Sequence, residues 1–498
     1  MRRTKSVRTG FSTRDIGIAF LFLVAASNPA RADDTTNSAT TNTASDTARF
    51  SDQPAPLALQ GFPQRPPPLI EWGDKFLGTG NLQKGITLPT GEVISPDFWV
   101  FGTLRSAVQT FDTGADGPKN GNSRVTEWAN RLDIFGNLQF TPTERILVGW
   151  RPVDELSANG SDTFTGYRFE PLASKGFTQG YGATPTTLFF EGEFGEMFPR
   201  LDNHDQKSLD YGFAVGRQPL TLQDGLLVND DSIDTVSITR NSVLIPGGST
   251  LRASALVAVD RIYRPDYYTP TVANTLDRDD VLFGFDGAAD FPRNTVEGDL
   301  LYESSGGPGN AVYAGLGSIQ RIGKVNLTVR AVTSVAVDGP SSKATTGTLL
   351  LNQLSYTLPA SDDFIYMDAY WGIDRFSSAA RDPTAGGPLG DVGILTAAVG
   401  LGSYQAPLGN QADHSAGGAI GYQMFFDELH RRQLTFEIGG RAPTQTPTLE
   451  RQEEAEGAGV QYQQAFGRRF VLVVSTFAVT RDEDGVSFGG RVEWDTKF

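Results

Sequence analysis

Read in steps of two, the last thirteen residues of the chain separate into two faces. Val486, Phe488, Gly490, Val492, Trp494, Thr496 and Phe498 form a largely apolar set, and Ser487, Gly489, Arg491, Glu493, Asp495 and Lys497 a largely ionic one. A period of two is the signature of a strand. With one greasy and one charged face, such a strand suits lipid on one side and water on the other, as in a transmembrane β-barrel. An amphipathic edge strand of a soluble β protein would alternate in the same way, so the rest of the chain decides.

The alternation recurs. Strand-length segments separated by Gly, Asp, Asn, Ser and Pro are expected at 98–111, 124–140, 144–153, 184–197, 208–218, 232–241, 251–260, 280–290 and 295–303. They continue at 310–320, 325–336, 345–357, 363–374, 415–427, 432–441, 460–466, 470–481 and 486–498. The pattern predicts an all-β, antiparallel, up-and-down transmembrane barrel of about 18 strands, with 16 as the alternative, closed by the C-terminal strand. Short links at 141–143, 321–324, 358–362, 428–431 and 467–469 alternate with long ones, which puts both chain ends on the short-turn side, expected to be periplasmic. Ile394 to Leu401 (ILTAAVGL) has strand composition, but pairing it would reverse the terminal strand. Residues 391–403 are therefore expected inside one long loop, 375–414, the best candidate for partial occlusion of the interior.

Alternation also assigns faces. With Trp128, Leu132 and Ile134 outward, Glu127, Arg131 and Asp133 point inward; with Ile146, Val148 and Trp150 outward, Arg145 and Arg151 point inward. The same rule makes Glu191, Glu193, Arg252, Arg330, Glu437, Arg441, Arg491 and Glu493 candidates for the lining of a wet lumen. Charge on the lipid side costs about 2–4 kcal/mol for Lys or Arg at mid-membrane. Opposed Arg and carboxylate rows could sort permeants by charge or simply brace the wall as ion pairs.

Composition adds limits. The 498 residues include 56 Gly and no Cys, and only 39% are hydrophobic, a low value natural to a chain whose lipid face occupies alternate residues. Without Cys there is no lipoprotein anchor, thiol catalysis or Cys metal site. A formal net charge of −16 argues against nucleic acid as a partner. Nothing calls for a cofactor. Residues 1–32 have the form of a secretory signal peptide: a basic start, the apolar run Ile16 to Ala26, and Ala30-Arg31-Ala32 as a small-x-small site. Residues 33–85 are polar and then Pro-rich, expected to be a flexible periplasmic leader, and 86–498 the barrel.

The terminal aromatic pattern, Trp494 and Phe498, resembles the C-terminal signal that the barrel-assembly machinery reads in bacterial outer-membrane proteins. Phe213 to Arg240, with Gly216-Arg217-Gln218 and then Gln223-Asp224-Gly225, resembles a segment of alginate-export-type barrels. That resemblance implies an 18-stranded pore with a charged, Arg-rich lumen, including Arg217, although strict alternation groups Arg217 with Phe213 and Val215. The expected function is an outer-membrane channel for small hydrophilic, anionic solutes. Its expected surroundings are outer-membrane lipid and lipopolysaccharide. Export of an anionic polysaccharide is the second reading. A hydrolase is a distant third: His414-Ser415 are neighbours that would face opposite ways on a strand. Loop acids such as Asp230-Asp231 and Asp277, Asp279 and Asp280 lack calcium-loop spacing, and no metal site is expected.

Overall fold

The computed structural model describes residues 66–73, 85–112, 124–154, 164–201, 209–264, 275–359, 361–427, 429–445, 454–482 and 485–498. The signal peptide and most of the leader expected at 33–85 lie outside them. One sheet of 22 strands dominates. Eighteen of its strands run from rim to rim: β1 (Asp97–Asp112), β2 (Arg124–Gln139), β3 (Arg145–Val153), β4 (Pro185–Glu193), β5 (Tyr211–Leu222), β6 (Val228–Val243), β7 (Leu251–Val259), β8 (Val281–Asp290) and β9 (Asn294–Ser304). These are followed by β10 (Ala311–Ile322), β11 (Val325–Ala336), β12 (Gly347–Thr357), β13 (Phe364–Asp374), β14 (Ser415–Phe425), β15 (Arg432–Pro443), β16 (Ala455–Phe466), β17 (Phe470–Arg481) and β18 (Gly485–Lys497). Each pairs antiparallel with its sequence neighbours, and β18 pairs with β1 from Gly489↔Phe111 to Lys497↔Thr103, so the sheet closes into an 18-stranded barrel. The expected strand number, segment order and C-terminal closure are those observed.

Closure removes both sheet edges, which in lipid would leave unsatisfied backbone groups costing several kcal/mol each. The seam is finished by two hydrogen bonds: Gly102 N–H to the Phe498 carbonyl at 2.7 Å and Phe498 N–H to the Gly102 carbonyl at 3.0 Å. Below that point the flank of β1 is covered by Ile70–Trp72, which pairs with Phe98–Val100 in line with β18. A piece of the presumed leader thus belongs to the barrel wall.

Faces follow parity. On the outside, Val108, Trp128, Val148, Trp150, Leu188, Phe283, Tyr302, Leu350, Trp371, Ile438 and Phe488 are all exposed, members of an apolar belt that runs around the wall. No described helix is long and apolar enough to cross a membrane.

The interior is not uniformly wet, and here the expectation needs correcting. Two connections fold inward. In the first, β5 and β6 continue past a register shift after Gln218 as a hairpin, Leu220↔Asp230 to Leu222↔Val228. Its tip, Gln223-Asp224-Gly225, turns with all three φ angles positive, which glycine and short polar residues tolerate best. The second is 375–414, whose Ala380–Arg381 pairs parallel with Val228 and Asn229. Together with inward Leu256, Leu282, Leu301, Tyr313, Val332, Leu349 and Tyr370, these insertions form one dry core. Ordinary alternation cannot reveal it, because those inward wall positions are apolar in strands that are apolar on both faces. As expected, 391–403 is not a stave; it holds the short 3₁₀ turn Leu395–Ala397 inside the barrel.

Candidate permeation lumen

The wall from β17 through β18 and β1 to β4 carries most of the inward charge. Arg105 on β1 donates to Glu493 on β18 at 2.6 Å and lies 3.7 Å from Asp495, while Arg491 approaches Glu493 at 3.4 Å. On the neighbouring staves Arg151 binds Asp133 at 2.6 Å and Arg131 binds Asp154, just beyond β3, at 2.8 Å. Burial pushes the Asp154 carboxyl above its usual range, and the Arg131 guanidinium pulls it partly back. Arg151 also reaches toward Asp231 on the inward hairpin at 3.7 Å. Lower on the wall, Arg145 and Glu191 pair across β3 and β4. Each guanidinium has a carboxylate beside it because buried charge is tolerated only when paired.

The opposite wall is more acidic. Asp286 pairs with Arg252 at 3.2 Å on β8 and β7. Glu297 takes Arg330 at 2.5 Å, and Arg330 donates again to Gln223 of the hairpin at 3.1 Å. Gln223 in turn donates to Asp299 at 2.5 Å. The hairpin tip is therefore tied to β9 and β11 across the interior.

The middle of the long insertion is held by two wall carboxylates. Glu437 on β15 accepts the backbone N–H groups of Leu395 at 2.7 Å and Thr396 at 2.9 Å, the Thr396 hydroxyl at 2.7 Å, and the Tyr366 hydroxyl at 2.6 Å. Glu127 on β2 accepts Ser403 N–H at 2.7 Å and Gln109 at 2.8 Å, and Gln109 also donates to the Leu401 carbonyl at 2.7 Å. Between these anchors Tyr404 wedges against Phe111 with ring centroids 5.1 Å apart, under the guanidinium of Arg491 at 5.1 Å. The insertion thus narrows the lumen from β15 to β2.

The thirteen sequence-predicted residues divide into three groups. Arg145, Glu191, Glu193 and Arg252 face inward near the short-turn rim, where Arg145 and Arg252 keep much of their surface open, 40% and 53%. Arg131, Asp133, Arg151, Arg330, Glu437, Arg441, Arg491 and Glu493 also face inward, but ion pairs and the two insertions cover them; Arg330 and Arg441 are buried. Arg217 is a correction: it shares the outward register of Val215 and Val236, chelates Asp234 at 2.8 and 2.9 Å, and donates to the Pro185 carbonyl at the end of β4. The pair sits on the outer side at the long-loop rim, where a bidentate partner offsets the cost of leaving water. Trp494 faces outward between Phe466 and Phe470, and Phe498 closes the seam.

As lining residues, Arg105, Asp231 and Glu297 were missed by the sequence reading. Arg105 and Glu297 were findable from parity, since they alternate with Ala107 and Asp299; Asp231 was not, because it lies where β6 leaves the wall. His414 is a turn residue with φ +43°; its N–H bonds Asp374 and its carbonyl takes Thr444, so the His-Ser neighbour serves the backbone entering β14.

No protein-family model matches the chain, and no curated protein sequence matches it. Among solved structures, a BenF-like porin from Pseudomonas fluorescens Pf-5 is similar over 80% of this chain and 98% of that one, with a TM-score of 0.53 at 12% identity. OccAB4 of Acinetobacter baumannii covers 82% of this chain and all of that one at 12% identity and a TM-score of 0.48; Pseudomonas aeruginosa OpdK with vanillate covers 80% and 98% at 13% identity and 0.47. The alginate-export type is not singled out. With its closed ring of 18 staves, the chain has the fold of an outer-membrane β-barrel porin.

Proposed function

We propose that this protein is a passive channel of the bacterial outer membrane for small hydrophilic solutes, with its chain ends in the periplasm and solutes moving down their own gradients. The observation that carries the reading is a closed barrel with an apolar belt outside and ionic pairs inside, of which Arg105, Arg145 and Arg252 keep open side-chain surface. These three would favour anions, because the local ring of charge rather than the acidic total controls entry. No residue is assigned a catalytic role. Passage of a polysaccharide is disfavoured by the two insertions, which cross the interior where a polymer would need an unbroken path.

Planar-bilayer recordings test the proposal. Stable conductance steps are expected, with a reversal potential under a salt gradient that reports anion preference. Arg105→Glu, Arg145→Glu and Arg252→Glu should each move that potential toward cation preference. A silent but fully inserted barrel would overturn the channel, and an unchanged potential in all three variants would remove these arginines from the solute path.

A further inference from the structure

At the short-turn rim beside the closing seam, lipid-side aromatics and cations converge. Trp494 lies between Phe466 and Phe470, with ring centroids 5.7 and 5.5 Å apart, all three on the outward parity and exposed. The turn joining β16 to β17 continues directly from Phe466 into Gly467, Arg468 and Arg469. Arg431, from the turn before β15, donates to the Gly467 carbonyl, and Lys497 N–H donates to the Arg469 carbonyl at 2.7 Å. Arg431, Arg468 and Arg469, on two neighbouring turns, therefore form one basic edge, and Arg469 also donates to the Pro67 carbonyl at 3.5 Å. A neighbouring counter-charge is Asp427, which is occupied by Arg431 N–H at 2.8 Å and Arg432 at 3.3 Å. Among the described residues, none of these three arginines has a carboxylate side chain within ion-pair distance.

Aromatic rings at the edge of an apolar belt sit at headgroup depth, and cations just beyond them meet lipid phosphates. We propose that this rim is a docking surface for anionic phospholipid headgroups in the leaflet on the short-turn side, an inference that rests on reading the outer belt as lipid-embedded. The aromatics hold the depth, and the cations select the headgroup charge. Long basic side chains make this selection at little cost, since their stems lie along apolar surface.

The test uses the folded barrel in neutral detergent, titrated with short-chain phosphatidylglycerol and followed by native mass spectrometry, with short-chain phosphatidylcholine and inorganic phosphate as comparisons. Wild type should bind phosphatidylglycerol in preference to both. Arg468→Gln/Arg469→Gln should weaken that binding about twenty-five-fold, roughly fivefold per cation, while leaving phosphatidylcholine binding unchanged. Equal affinity for the two lipids in wild type, a preference that survives the double substitution, or phosphate binding as tightly as the lipid would each overturn the proposal. Insertion of both proteins into phosphatidylcholine bilayers is scored separately. Failure of wild type to insert there would sink the membrane reading itself, and insertion without headgroup preference would sink only the docking surface.

Discussion

At the scale of single residues, parity places a side chain and the insertions decide what it meets. Arg105 and Arg330 both face inward, yet Arg105 keeps 32% of its side chain open while Arg330 keeps 5%, sealed between Glu297 and Gln223. Charge reversal at Arg330 would therefore bury an unpaired charge and report on folding rather than selectivity. That is why the selectivity test above uses Arg105, Arg145 and Arg252. Glu437 is the most consequential inward carboxylate, because it accepts two backbone N–H groups and two hydroxyls. Glu437→Ala should cost about 1–3 kcal/mol for each buried donor left without an acceptor. The check is a urea unfolding curve together with current noise, which should rise as the insertion loosens. Unchanged stability and quiet current would show that the latch is not Glu437. The inward facing of Glu437 was legible from alternation; its partners Leu395 and Thr396 were not, since they lie 42 and 41 residues upstream on an inserted segment that is not a stave.

At the scale of elements, the sequence marked the staves well and the inserted segments poorly. β18 keeps an unbroken period of two, so its faces could be assigned from the chain alone. The β5–β6 hairpin shows the same alternation, yet it leaves the wall after Gln218, because a register shift redirects the strands over the rim and no pattern of side chains encodes that bend. The 375–414 insertion is fitted to the wall as closely. A Cβ built on Gly372 would lie 1.7 Å from the Ala412 carbonyl oxygen, so Gly372→Val should push the returning loop off β13. Single-channel conductance should then increase, whereas an unchanged conductance would mean the insertion does not limit flow. Ile70–Trp72 offers a further test, since the chain has no native Cys. With Ile70→Cys and Val100→Cys introduced together, oxidation should link the segment to β1 and shift the gel mobility of a proteolysed sample; absence of a link would detach this strand from the wall.

At the scale of the whole molecule, stability depends on a ladder without ends. Gly102 lies at the seam, where an added Cβ would stand 2.3 Å from the Asp133 carbonyl oxygen and 2.8 Å from the Phe498 ring. Gly102→Val should therefore open the junction of β1 and β18 and abolish the resistance to unfolding in cold detergent gels that an intact closed barrel is expected to show. A variant as resistant as wild type would show that the seam tolerates the side chain. Alternation along each strand and the spacing of turn residues determined by themselves that this chain is an antiparallel barrel of about 18 staves with charge inside, because lipid on one face and a polar interior on the other impose a period of two on every stave; the closed register fixed the number at 18. Which of the inward charges remain open to a solute was decided only by the tertiary structure. That depends on where the 218–232 hairpin and the 375–414 insertion come to rest, and their anchors, Gln223 to Asp299, Leu395 to Glu437 and Ser403 to Glu127, join residues far apart in the chain that no local pattern connects.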